Sequence, residues 1–249
     1  MRRLLTFLAL ALVAALRAAE SDVLVKDALA AEARFDSKTA LDLFLKANAA
    51  HPDDPVILQK IARQYSDLTF DLTDSAEQKR YCLEALAYAK RSVALAPKDA
   101  VNVLSLGICY AKIGLYSDTR TKIENSRLVK DYAEQSLALD PNYSYAHHVL
   151  GQWHHEVASL GATTRLFVRL VYGGLPAAST AEGVKYLRRA VELSPQLPSH
   201  HAELGFALLA DGQRDAAKRE FEQTLALPQR EKYDTESKRR AREALAKMR

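Results

Sequence analysis

Three stretches of this chain, Val103–Tyr110, His147–His154 and His201–Leu208, share one layout, with Leu-Gly at the centre of a helix-forming run. Ala/Leu-rich runs ending in proline punctuate the same region: Ser92–Pro97, Ser136–Pro141, Ala190–Pro195 and Thr224–Pro228. A glycine inside a helix costs about 1 kcal/mol against alanine. Its recurrence at Gly107, Gly151 and Gly205 therefore calls for a physical reason, and the close approach of a second helix supplies one. Ala217 and Phe221, and likewise Gly183 and Leu187, give the small-then-bulky pattern expected on the facing helix. A hairpin built this way buries its apolar face only by stacking on neighbours. The repeat thus restricts the chain to an array of paired helices.

The closing prolines Pro52, Pro97, Pro141, Pro195 and Pro228 lie 45, 44, 54 and 33 residues apart. Only the last interval matches the period of about 34 residues of a tetratricopeptide repeat, so the first three contain insertions. Their places are 74–81, 116–126 and 158–180. The pattern predicts five hairpins: 22–35 with 37–50, 55–70 with 75–95, 99–114 with 118–139, 143–160 with 180–193, and 198–210 with 214–227. A helix over 231–247 closes the array. Pro55 and Pro198 suit first-turn positions, Asp36, Ser117 and Thr163 suit N-caps, and Gly114 and Gly212 fall where hairpins turn. The expected fold is all-α, a right-handed α-solenoid of about five tetratricopeptide-like helix hairpins with a C-terminal capping helix.

Residues 1–19 are of another kind. Arg2 and Arg3 precede an uncharged, mostly aliphatic run from Leu4 to Leu16, and small residues follow at Ala18 and Ala19. This is the layout of a secretory signal peptide, shorter than the roughly 20 residues of a transmembrane span. It leaves 20–249 as the repeat domain and places the protein outside the cytoplasm, in a bacterial periplasm. Loss of Arg2, Arg3 and Arg17 lowers the formal net charge from +4 to +1, which does not point to a nucleic-acid partner. The basic residues of 230–249 read as the solvated face of the terminal helix. Cys82 and Cys109 read as buried thiols; two cysteines give no disulfide framework.

In stacked hairpins the first helices line the concave surface. Steps of −6, −3, +1 and +4 from each Leu-Gly glycine follow one helical face. That face reads Val101, Leu104, Ile108 and Ala111; then Tyr145, His148, Gln152 and His155; then Ser199, Ala202, Phe206 and Leu209; with Val56, Gln59, Arg63 and Ser66 aligned earlier. Such an apolar lining fits a face covered as core by the insertions, a groove for a peptide or partner helix, or a seat for an acyl chain. The expected ligand-contacting residues are Gln59, Arg63, Leu104, Ile108, Tyr145, His148, Gln152, His155 and Phe206. If the pair-four face is instead core, the insertion closes over it.

Six of seven histidines fall in three adjacent pairs, but His148 and His155 are two helical turns, about 10.5 Å, apart. That spacing does not by itself hold one ion, and packing or groove roles are expected with no metal and no cofactor. Within the third insertion, Thr163–Tyr172 is amphipathic, with Arg165 and Arg169 on one side and Leu166, Phe167, Leu170 and Val171 on the other. Packing of this helix on the array is expected in preference to membrane contact. No Gly-rich phosphate loop, His-Glu-x-x-His, nucleophile elbow or adjacent Cys-His is present, so no enzyme is expected.

From about Tyr81 to Lys247 the chain resembles the regulator-of-microtubule-dynamics family. The resemblance rests on Lys122–Ser126 followed by Lys130–Leu137, on Leu150–Val157, and on the unusual insertion with Tyr172–Ser179 ahead of Gly183. It implies a tetratricopeptide-like fold. Eukaryotic members are linked to microtubules, and one branch acts at organelle contacts with a tetratricopeptide domain that binds lipid. This chain departs from them in its export-type leader. The expected function is a non-enzymatic scaffold or adaptor binding a protein segment in its concave groove; the alternative is a carrier of lipid or another apolar ligand.

Overall fold

A computed structural model describes residues 20–248, so the expected leader lies outside the described residues. Those residues form two compact units that divide after Pro97. The first holds α1 (20–33), α2 (Ser37–Ala50), α3 (Pro55–Leu68) and α4 (Ser75–Leu95). The second holds α5 (Ala100–Leu115), α6 (Thr119–Leu139), α7 (Ser144–Ala158), α8 (Ala162–Tyr172), α9 (Thr180–Leu193), α10 (Pro198–Ala210), α11 (Arg214–Ala226) and α12 (Asp234–Lys247). All regular structure among the described residues is helical. The hairpins are α1/α2 and α3/α4 in one unit, and α5/α6, α7/α9 and α10/α11 in the other, closed by α12.

Aspartates start five of these helices, because a carboxylate satisfies first-turn N–H groups that have no partner within the helix. Asp54 accepts from Val56 N at 2.8 Å, with Pro55 in the first turn. Asp36, Asp74, Asp99 and Asp118 do the same for α2, α4, α5 and α6. Asp118, not the expected Ser117, caps α6; Ser117 Oγ instead donates to Ile113 O at 2.7 Å. Likewise α8 starts after Gly161 with no side-chain cap, so Thr163 lies inside it.

The long intervals between closing prolines have a simple cause. The expected insertions at 74–81 and 116–126 are mostly extra turns of second helices: α4 and α6 have 21 residues each, against 14 in α9. Only 158–180 brings a separate element, α8.

The Leu-Gly glycines sit where helices touch. A Cβ on Gly151 would lie 2.6 Å from Leu187 Cγ and 3.0 Å from both Gly183 O and Leu187 N. On Gly205 it would lie 2.6 Å from the Phe221 ring. The two turn glycines differ. Gly212 has φ +78°, as a helix-ending turn requires, whereas Gly114 is still helical within α5.

The first residues of the closing runs (Ser92, Ser136, Ala190 and Thr224) are all fully buried. Ser92 Oγ donates to Pro55 O at 2.7 Å and Ser136 Oγ to Ala100 O at 2.8 Å, tying the end of a second helix to the start of its first. Cys82 and Cys109 are buried thiols, one in each unit.

Candidate functional site

The residues expected to line a groove fall into different environments. Leu104 is fully buried and belongs to a core cluster with Ala133, Ala146 and Leu150, so it packs the fold and has no surface for a ligand. Ile108 and Tyr145 are half-buried against the same cluster. Gln59 and Arg63 lie on α3 in the first unit. There Arg63 Nε is 3.2 Å from Glu32, which also takes Lys60 at 2.8 Å. The two basic side chains thereby fasten α3 to α1.

On α7 the face splits. His148 is buried, its ring 4.8 Å from that of His200 on α10, and Tyr145 meets His200 edge-on at 5.3 Å. Tyr145 Oη donates to Glu231 at 2.6 Å. Gln152 and His155 are half-buried, and Gln152 Nε2 donates to Glu156 at 3.0 Å. Burial lowers the pKa of His148 and His155. His200, with both ring nitrogens buried and unpartnered, is pushed down to about 2, first by burial and then by His148 and His201. These imidazoles are neutral at pH 7, and His148 and His200 are packing groups.

The cover over this region comes from the C-terminal segment, not from the insertion. Asp234, at the start of α12, accepts from Arg230 N and Glu231 N at 2.8 Å and from Ser199 N at 3.1 Å, pinning the turn to α10. Arg240 donates to the fully buried Glu203 carboxylate and to Tyr233 Oη, and its guanidinium lies 4.4 Å over the Phe206 ring. Burial and the Glu203 charge raise the Tyr233 pKa. Phe206 also meets Phe221 edge-on and remains half-buried. Glu203 was not among the expected site residues. A carboxylate two positions before the glycine of a Leu-Gly helix was its signal, since buried charge requires a partner.

Two histidines prove to be part of the repeat. His147 and His201 each stand four residues before a Leu-Gly glycine and six after a closing proline. Their Nε2 atoms lie 2.9 Å from Pro141 O and 3.0 Å from Pro195 O, so each clips the preceding turn to its helix. Glu220 lies 2.6 Å from the other nitrogen of His201. Among the described residues, no group of three or more His, Cys, Asp or Glu side chains is placed to hold a metal.

The insertion departs from expectation. Helix α8 lies against α6 with its Val168 buried, and Arg127 reaches from α6 to the carbonyls at the end of α8, donating to Tyr172 O at 2.5 Å and Gly174 O at 2.6 Å. Its apolar side is not packed: Leu166, Phe167, Leu170 and Val171 are all exposed. One small contact residue and carbonyl bonds at one end suffice to hold the helix, which leaves its larger apolar face outward.

The family model described as regulator of microtubule dynamics protein 1-3 matches residues 23–249. The mouse regulator of microtubule dynamics protein 1 is 26% identical over 148 residues, 59% of this chain and 48% of its own length. Protein 3 of Xenopus laevis is 23% identical over 158 residues, 64% of this chain and 34% of that protein. The chain thus spans half or less of these relatives. Among solved structures, a tetratricopeptide protein of Thermus thermophilus superposes with a TM-score of 0.66 at 18% identity, covering 91% of this chain and 99% of that one. PilF of Pseudomonas aeruginosa gives 0.53 at 13%, covering 92% and 89%.

Proposed function

The chain belongs to the regulator of microtubule dynamics protein 1-3 family, and we propose that it works as a non-enzymatic adaptor that binds a segment of a partner protein. The carrying observation is the composition of what remains accessible on the first helices of the second unit. Tyr145, Gln152, His155 and Phe206 are half-buried beside the accessible aliphatic Val101, Ile108 and Leu209, whereas Leu104 and Ala202 are consumed by packing. Polar and aromatic groups held by a rigid helix suit a peptide, which needs both hydrogen bonds and side-chain contacts. Gln59 and Arg63 offer polar surface of the same kind on the first unit. The polar Gln152 and His155 within this face weigh against the rival reading, a carrier of lipid. A microtubule role rests on the names of relatives of which this chain matches half or less. The leader-like residues 1–19 support export to a periplasm, where N-terminal sequencing of the mature protein would find them removed.

Native mass spectrometry of the protein purified from its own host tests the adaptor. A stoichiometric polypeptide is expected, and Gln152→Ala with His155→Ala should weaken its retention without changing the melting temperature. Co-purifying lipid with no polypeptide would overturn the adaptor in favour of the carrier. Sedimentation with microtubules would instead give the chain the role its relatives are named for.

A further inference from the structure

The amphipathic helix α8 carries the largest contiguous set of exposed apolar side chains among the described residues. Leu166 is 57% exposed, Phe167 51%, Leu170 76% and Val171 51%. At 100° per residue these four fall within one arc of about 140°, and Val168, the helix's one buried residue, lies beyond its edge. The helix therefore stands as a convex ridge with its apolar side turned away from its support.

Its charge is one-signed. No carboxylate occurs from Val157 to Ala181, while Arg165 and Arg169 stand on α8 itself. Neither arginine pairs with a carboxylate among the described residues. The adjoining start of α6 adds Arg120, whose guanidinium lies 5.8 Å from the Tyr172 ring, together with Lys122 and Arg127 against Glu124. The ring of Phe167 meets Tyr172 edge-on at 5.8 Å, so the aromatic end is ordered within the helix.

We propose that α8 is a docking ridge for an anionic lipid bilayer surface, with Leu166, Phe167, Leu170 and Val171 entering the acyl boundary and the arginines meeting headgroup phosphates. A partner protein could seat the same apolar anchors in a hydrophobic groove; what favours the bilayer is the one-signed charge beside them, with Arg165 and Arg169 free of carboxylate partners among the described residues. That combination is what an interfacial helix requires: apolar side chains sink about 5–10 Å while basic groups remain at the headgroups. Among the described residues no helix is long and apolar enough to cross a membrane, so the contact is with the surface. The inference is independent of the adaptor reading, which concerns the first-helix face.

The test is sedimentation of the full chain with vesicles of phosphatidylcholine alone and with about a quarter phosphatidylglycerol. Whatever residues 1–19 contribute is common to wild type and variants. Wild type should partition onto the anionic vesicles and much less onto the neutral ones. Phe167→Asp with Leu170→Asp should lower that partitioning roughly 10-fold or more. Arg165→Gln with Arg169→Gln should lower it by about 30-fold on anionic vesicles only. These side chains are exposed, so circular dichroism melting should match wild type in each variant. Equal partitioning of wild type and the Asp variant, or a wild-type dimer in sedimentation velocity that the Asp variant breaks without vesicle binding, would overturn the proposal.

Discussion

Replacing Gly151 by alanine tests the central packing argument, because two opposing terms act at one atom. The added Cβ gains about 1 kcal/mol of helix propensity. It also arrives 2.6 Å from Leu187 Cγ and 3.0 Å from two backbone atoms of α9. Optimal carbon–carbon separation is about 3.5–4.0 Å, so the helices must part by close to 1 Å. Leu187 is fully buried and cannot swing aside, which places the cost near the upper end of overpacking, about 3 kcal/mol. The net expectation is a loss of about 2 kcal/mol. Gly114→Ala is the internal control: it is helical and has nothing within 4 Å of a built Cβ, so it should gain up to about 1 kcal/mol. The difference between the two variants cancels propensity and leaves the clash. Trp153, the chain's one tryptophan, is buried in α7 beside Gly151 and donates to Ser126 O at 2.8 Å, so its fluorescence reports on this unit. Urea unfolding followed at Trp153 should separate the variants by about 3 kcal/mol, with the Gly151 variant melting about 4–8 °C below wild type. Equal midpoints for the two alanine variants would refute the close-contact account of the repeat.

Acid should destabilise the second unit. An unfolded histidine takes up a proton as pH falls below about 6.5, while His200 in the fold resists protonation until about 2, so stability is lost on the way down. At pH 5 this amounts to about 2 kcal/mol from His200, and His200→Leu should flatten the dependence between pH 6.5 and 5; an unchanged slope would count against it. The His201 pKa is raised, against the pull of burial, by its bonds to Glu220 and Pro195 O, so its contribution is complete below the ordinary histidine range and fades as pH rises through the raised value. His201→Gln should therefore reduce melting temperature more at pH 6 than at pH 8. Arg240→Met should cost about 3 kcal/mol by leaving the buried Glu203 carboxylate with the Tyr233 hydroxyl and no counter-charge, and adding Glu203→Leu should recover much of it in thermal melts. Ser136→Ala, which removes the bond to Ala100 O, should cost about 1 kcal/mol by urea unfolding.

The pairing of helices could be read before any coordinates because the repeat writes its contacts as sterics: a glycine, a facing Leu187 or Phe221, and a proline that ends each run. Details governed by local competition were less legible. Ser117 and Asp118 are both good caps, and the choice between them depended on Ser117 finding Ile113 O. Gly114 and Gly212 share the same offset from the Leu-Gly glycines, yet only the latter ends its helix, since α5 continues to Leu115. For α8 the amphipathic pattern located both faces but not their direction, because periodicity marks an apolar side without saying what it meets.

The cover of α10 shows the deepest limit of pattern reading and also how it could be moved. Helix α12 buries Asp234, Ser237, Ala241 and Ala244, spaced at three and four residues. Its buried apolar residues are alanines, with Leu245 and Met248 packed only at the edge of the core, so hydrophobic periodicity registers this face weakly. To this apolar contact it adds polar links to α10, through Asp234 on Ser199 N and Arg240 on Glu203. The basic run at the end of the chain is accordingly two things. Arg239 lies outward between Glu236 and Glu243, while Arg240, one residue on, turns inward to a carboxylate with almost no exposure. A charge at a core position of a repeat helix demands a counter-charge from somewhere. Glu203 in α10 was such a demand, and the arginine-rich terminal helix was the segment able to meet it.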